Sequence, residues 1–370
     1  MGRLGDFPGI RQKISRNLNQ PLFPTPIQNF PSQAPFTMAI LIQLIGILFQ
    51  INSSYSEKIN PKIISQEFIY ENAPFPSCHA STLIETEDGI LAAWFGGTYE
   101  RHPDVSIYTS LRDQKGWSTP TLVADGIENE VFRNPTWNPV LYQKSDGEIL
   151  LFYKEGPNPR EWWGLYKKSN DGGKSWSKAI QTPPGFLGPV KNKSVKLSDG
   201  NLMHPSSFET NGVWTSHMEF TNADLENWRK VEVPGPFQAI QPTVLFHGNE
   251  KVQILTRTQE GVIATSFSGN NGKTWTELSS TRLVHNGSGI DAVTLEDGYH
   301  LLVCNLIPKG RNKLSLLGSA DGLNWEEILV LEDEKSGEFS YPAIIQAKDG
   351  SIHLTYTYQR EKIKYVHLSL

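Results

Sequence analysis

The chain has 370 residues, 38% of them hydrophobic, with a formal net charge of -5 and a pI near 6.0. That is the balance of an ordinary soluble globular chain, and it offers no basic excess for nucleic acid: the largest cluster, Arg160 with Lys167 and Lys168, reads as a solvated face. Two cysteines, Cys78 and Cys304, make no disulfide framework and read as buried thiols.

Residues 1–37 are rich in Pro, Asn and Gln without periodicity, which predicts a disordered extension. From Met38 an apolar run reaches Ile51 and passes into the small polar stretch Asn52 to Ser56. Its length suits a secretory signal and is too short to span a bilayer, so residues 38–56 predict export, to a secreted or periplasmic location, with no stable membrane span after processing. The extension is therefore placed at 1–57 and one domain at 58–370.

Within that domain five tryptophans, Trp117, Trp176, Trp228, Trp275 and Trp325, recur about every fifty residues, a period that points to a β-propeller. Each closes a turn of the kind Ser-x-Asp-x-Gly-x-x-Trp; Ser169 to Trp176 is the best copy, Ser268 to Trp275 carries Asn for Asp, and Ser319 to Trp325 is one residue shorter. Asp or Asn with Gly favours a tight turn, because the side chain bonds nearby backbone N–H groups, and the indole then buries a large ring. A second series, Asp88-Gly89, Asp146-Gly147, Asp199-Gly200, Gly248-Asn249, Asp297-Gly298 and Asp349-Gly350, sits between β-rich runs and predicts six hairpins. First strands then begin near His79, Trp137, Val190, Gln241, Asp291 and Tyr341. The last unit runs out after three strands, and Lys62 to Glu71 is an unassigned strand that would close the ring and remove a free edge. The expected fold is all-β: a six-bladed propeller of four-stranded antiparallel blades.

In such a ring the inner strands and the loops at one face surround a central depression where polar groups converge. The candidates are His79, Glu100, Arg101 and Asp104 from blade one; Arg133 and Asn138 from blade two; Lys191, Lys193, Glu209 and His217 from blade three; Gln241 and Arg257 from blade four; Asp291 and Arg311 from blade five; and Tyr341 from blade six. So many polar groups would be costly to bury unpaired, and a polar ligand that satisfies them is the economical explanation.

The boxes, the blade count and the placement of Arg257, Arg311 and Tyr341 resemble the sialidase superfamily, the Asp-box propellers, over residues 65–370. The wording Phe-Pro-Ser-Cys-His-Ala-Ser-Thr, Trp-Asn-Pro-Val and Gly-Pro-Val-Lys-Asn-Lys is similar to the sialidase-like, predicted-neuraminidase branch. The resemblance implies an exo-glycosidase in which Arg257 and Arg311 clamp a sugar acid, Tyr341 is the nucleophile, and Glu100 or Asp104 is the general acid. Two family parts are replaced: His79 stands where the first arginine belongs, and Gln241 where a glutamate assists the tyrosine. A phenol ionises near pH 10 and needs a base beside it, a role for which Asp291 is the first choice, ahead of Glu338, Glu209 and Glu219. The alternatives on the same hub are β-elimination from a uronic acid, with His79 or Tyr341 as base, and a non-catalytic carbohydrate-binding propeller. No metal or cofactor motif is present, and an oligosaccharide substrate and a monomer are the expectation.

Overall fold

The structure, a computed structural model, describes residues 59–370, and the disordered extension expected at 1–57, with its secretory segment at 38–56, lies outside the described residues. Twenty-five strands, with no helix among the described residues, form six antiparallel sheets. Alternation drives strand formation less than burial does: the second strands, such as Ile149–Glu155 and Val252–Thr258, are buried along their whole length because each is covered by a blade on both faces.

The inner strands of the blades are Ser77–Thr86, Thr136–Gln143, Val195–Lys196, Ala239–Phe246, Asp291–Thr294 and Phe339–Gln346. Five begin within two residues of the predicted positions. Blade three differs: its regular inner strand shrinks to two residues, and the stretch before it, Gly188 to Ser194, crosses the hub as irregular backbone. Each of the six predicted Gly-containing turns joins a first strand to a second. Lys62–Phe68 pairs antiparallel with Lys362–Ser369 and is the fourth strand of blade six, so the ring is closed by the start of the domain.

The boxes lie between third and fourth strands. In the best copy Asp171 Oδ1 accepts from the Lys174 and Ser175 amides at 3.0 and 2.9 Å, its Oδ2 accepts from Ser175 Oγ at 2.5 Å, and Ser169 Oγ accepts from the Gly173 amide. Each box tryptophan then joins the apolar cluster between its own blade and the one before: Trp117 between blades six and one, Trp176 between one and two, Trp228 between two and three, Trp275 between three and four, and Trp325 between four and five. The sixth seam, between blades five and six, has no box tryptophan and is filled by Phe339, Tyr356 and Tyr299.

Candidate functional site

Four inner strands carry a β-bulge at the same height, and each bulge holds a non-glycine residue at positive φ: Ala80 (56°), Asn138 (39°), Gln241 (55°) and Tyr341 (53°). A bulge re-aims a side chain, and a non-glycine residue in the left-handed region is strained by about 1–3 kcal/mol. Three of the four precede a proline, Pro139, Pro242 and Pro342. The repeated bulge turns these side chains toward the ring axis. Gly289 accommodates one of them, since a Cβ there would lie 3.0 Å from the Tyr341 ring.

Tyr341 is the centre of the resulting cup. Its hydroxyl accepts from Arg257 Nη1 at 2.7 Å; Arg257 also donates to Gln241 Oε1 at 3.2 Å and lies 4.9 Å from the Trp214 ring. The Arg257, Arg311 and Lys191 cations stand 5.5, 5.7 and 6.0 Å from the phenol ring centroid. The His79 ring packs on the same phenol, with centroids 4.1 Å apart. A third guanidinium, which the sequence reading missed, comes from Arg360: it shares Glu338 Oε1 with Arg311, at 2.6 and 2.7 Å, and donates to Glu100 at 2.6 Å. Arg360 occupies the turn between the second and third strands of blade six, with φ of 62°, the place that blade five gives to the Arg311 loop. That equivalence between blades was the signal available for finding it.

Electrostatics follow from the crowding. Burial and then Arg360, Arg311, Arg257 and Lys191 hold the His79 pKa well below the ordinary imidazole value, so the ring is neutral; Nδ1 meets Thr357 Oγ1 at 2.9 Å and Nε2 has no partner among the described residues. Burial brings Lys191 down to about 7, with Asp291 opposing the shift and Lys193 and Arg257 adding to it. Its ammonium donates to the Ile290 and Pro342 carbonyls, tying blade three to blades five and six across the hub. Burial alone would raise the Glu338 carboxyl, but Arg360 and Arg311 outweigh it and keep the group ionised. The cup thus sets four cationic side chains against Glu338 and Glu100.

The other candidates fall elsewhere. Asp291, expected beside Tyr341, is instead a fastener deeper in the hub: it accepts from Lys193 at 2.7 Å, Thr243 at 2.8 Å and the Ile344 amide at 3.0 Å, and it makes no contact with the Tyr341 hydroxyl. Its position at the start of an inner strand suggested the role, but that strand carries no bulge to turn it toward Tyr341, and Asp291 bonds into the neighbouring inner strands instead. Lys193 is spent on that ion pair. His217 is fully buried against Glu219 at 2.9 Å, and Glu219 in turn accepts from the Leu187 and Gly188 amides. Arg133 is tied to the Asp104 carbonyl and Ser106. Burial raises the Asp104 carboxyl, but bonds from Thr98 and His102 prevail and lower it, so Asp104 staples its loop as an anion. Glu100 is paired with Arg360 and is poorly placed to donate a proton. Asn138 reaches the hub with no side-chain bond to another described residue, while Arg101 and Glu209 stand outside the cup, at its rim. Two cavities of about 400 and 380 Å³ lie at the opposite end of the ring among the turns around Asp88, and Lys174 bridges to Asp88 there at 2.8 Å. Both thiols are buried, and burial pushes each up to about 12.

Comparison with known proteins accords with this architecture. The BNR repeat-like domain family matches residues 88–354. Similar solved structures include a protein of unknown function from Dyadobacter fermentans (17% identity, 84% of this chain and 99% of that one, TM-score 0.68) and a Hadza microbial sialidase (16%, 79% and 65%, TM-score 0.68). A third is the NanB sialidase from Streptococcus pneumoniae (14%, 87% and 72%, TM-score 0.66). No curated protein matches. At these identities the structures speak for the fold, and the family match spans most of the chain; the protein is a six-bladed, sialidase-like propeller and belongs to the BNR repeat-like domain family.

Proposed function

We propose that the protein is a carbohydrate-active enzyme, a glycosidase that takes a non-reducing terminal acidic sugar into the hub. The observation that carries this reading is the convergence of Arg257, Arg311 and Lys191 around one phenol, with Arg360 joined to Arg311 through Glu338. Guanidinium forks suit bidentate recognition of a carboxylate. Glu338 and Glu100 offset part of this charge, and an anionic ligand would offset the excess left on Arg257 and Lys191. Tyr341 would attack the anomeric carbon of the bound sugar as the bond to the leaving oxygen breaks; that oxygen takes up a proton from water, a second water then releases the sugar from the tyrosine, and the phenol's own proton needs an acceptor. Gln241 cannot serve and Asp291 is engaged elsewhere. His79 packs on the phenol with its Nε2 unpartnered among the described residues, but burial and the surrounding cations make it a weak base, so it would take the proton only as the phenol attacks.

One observation favours a second reaction on the same ligand. No carboxylate among the described residues touches the Tyr341 hydroxyl, while His79 and Tyr341 together have the make-up of a base for removing the proton next to a uronate carboxylate that the arginines neutralise. Incubating the protein with a panel of acidic oligosaccharides, sialosides included, separates the cases. Hydrolysis releases a saturated acidic sugar; elimination produces the ultraviolet absorbance of an unsaturated uronate. Arg257→Ala is expected to abolish binding and turnover, and Tyr341→Phe to abolish turnover while binding survives. Turnover undiminished in Tyr341→Phe would remove both reactions.

A further inference from the structure

Beside blade three the loops create a hollow. In blade three the second and third strands, Leu202–Thr210 and Val213–Thr221, are joined by Asn211 and Gly212 alone, whereas the corresponding connections of blades one and two run over residues 98–105 and 156–162. The long loops leave a cavity of about 210 Å³ above the short turn, lined by Arg101, Asn158, Pro159, Arg160 and Glu209. It shares Asn158, Arg160 and Glu209 with a second space of about 410 Å³. Neither the Arg101 nor the Arg160 guanidinium bonds to another described residue. Arg101 is held at a φ of 83°, a strained conformation for a residue with a Cβ.

Two lines of contact connect this hollow to Tyr341. On one side Glu209 is the direct cross-strand partner of Trp214, so their side chains share a face of the sheet, and Trp214 packs against Arg257. On the other, rings run in succession from Tyr341 through His79, Phe95 and Trp137 to Trp162, at centroid separations of 4.1, 5.7, 6.2 and 5.9 Å. Trp162 lies two residues from Arg160 and is part-exposed.

We infer that this hollow binds the sugar unit on the leaving-group side of the acidic one, and that this second unit bears an oxyanion of its own, a carboxylate or a sulfate ester. The inference rests on the reading of the cup given above. Arg101 and Arg160 face the oxyanion, and Glu209 accepts from a ring hydroxyl. The substrate class is then a polyanionic oligosaccharide rather than a neutral glycan with one acidic cap.

Calorimetric titration of the full chain tests this with four ligands: an acidic monosaccharide, a disaccharide whose second unit is neutral, and two whose second unit carries a carboxylate or a sulfate. A charged second unit is expected to tighten binding about tenfold over the neutral one, and the two charged ligands show which oxyanion fits. Arg160→Ala is expected to reduce that advantage about fivefold and Arg160→Glu to abolish it, with monosaccharide affinity unchanged in both. Equal affinity for the neutral and both charged disaccharides, or a preference that survives Arg160→Glu, overturns the inference and leaves the cup standing. Failure of all four ligands to bind overturns the cup and the inference together.

Discussion

At the residue scale, the hub distinguishes side chains by where the backbone aims them. Tyr341, Arg257 and Arg311 meet as their spacing in the blades suggests, yet Asp291, at an equally plausible strand start, is consumed by Lys193, Thr243 and the Ile344 amide. Sequence position says which strand a residue starts but not which way a bulge turns it. Lys191 supplies the sharpest test of the cup. Its pKa is depressed to about 7, so the ammonium form is complete below that value and lost above it, while in the unfolded chain it titrates near the ordinary lysine value of 10.5. The cost of burying its charge is therefore fully present below about pH 7 and is relieved as pH rises from there to about 10.5. An acidic monosaccharide in the cup, held in the field of Lys191 and Arg257 with Lys193 and Asp291 paired behind them, should bind with constant affinity below about pH 7 and weaken by up to about tenfold per pH unit above it. Calorimetry across that range on the wild type and on Lys191→Met checks this, since the variant should lose the inflection.

At the element scale, the box is two devices with different energetics. The turn is held by exposed hydrogen bonds: Asp321 Oδ1 accepts from the Leu323 and Asn324 amides at 2.8 and 2.7 Å. Burial opposes ionisation of Asp321, but those bonds overcome it and hold the group at about 2. Its contribution is thus present above the ordinary value of 3.8 and disappears as pH falls through about 2. The tryptophan, by contrast, fills a seam between blades, and Trp275 is 9% exposed within the cluster of Met203, Phe220 and Leu278. Asp321→Ala should cost about 1 kcal/mol and Trp275→Ala about 3–5 kcal/mol, as read by denaturant unfolding. Comparable losses from the two would contradict the division of labour. The motif announced turn and ring alike, but its wording did not reveal that the ring serves the boundary with the preceding blade, because that contact joins residues distant in the chain.

At the scale of the whole molecule, closure is what converts six sheets into one cup. Lys62–Phe68 covers the edge of Lys362–Ser369, and Glu67 reaches blade one through Arg112 at 2.6 Å. A chain starting at Ile69 would expose that edge and lose this tie, so its melting temperature should fall by on the order of 10 °C and light scattering should show association. An unchanged melting temperature would mean the ring is held without its latch.

The repeats alone sufficed for blade count, hairpins, boxes and the closing strand, because those depend on local turn chemistry and on a period written along the chain. The directions of the hub side chains were settled only by the folded ring. Bulges before Pro139, Pro242 and Pro342, the irregular crossing that delivers Lys191, and the blade-six turn that brings in Arg360 depend on how neighbouring blades crowd the axis. No residue carries that crowding in its own sequence neighbourhood, since its source is packing between segments separated by a hundred residues or more, as in the Lys191 bond to Pro342.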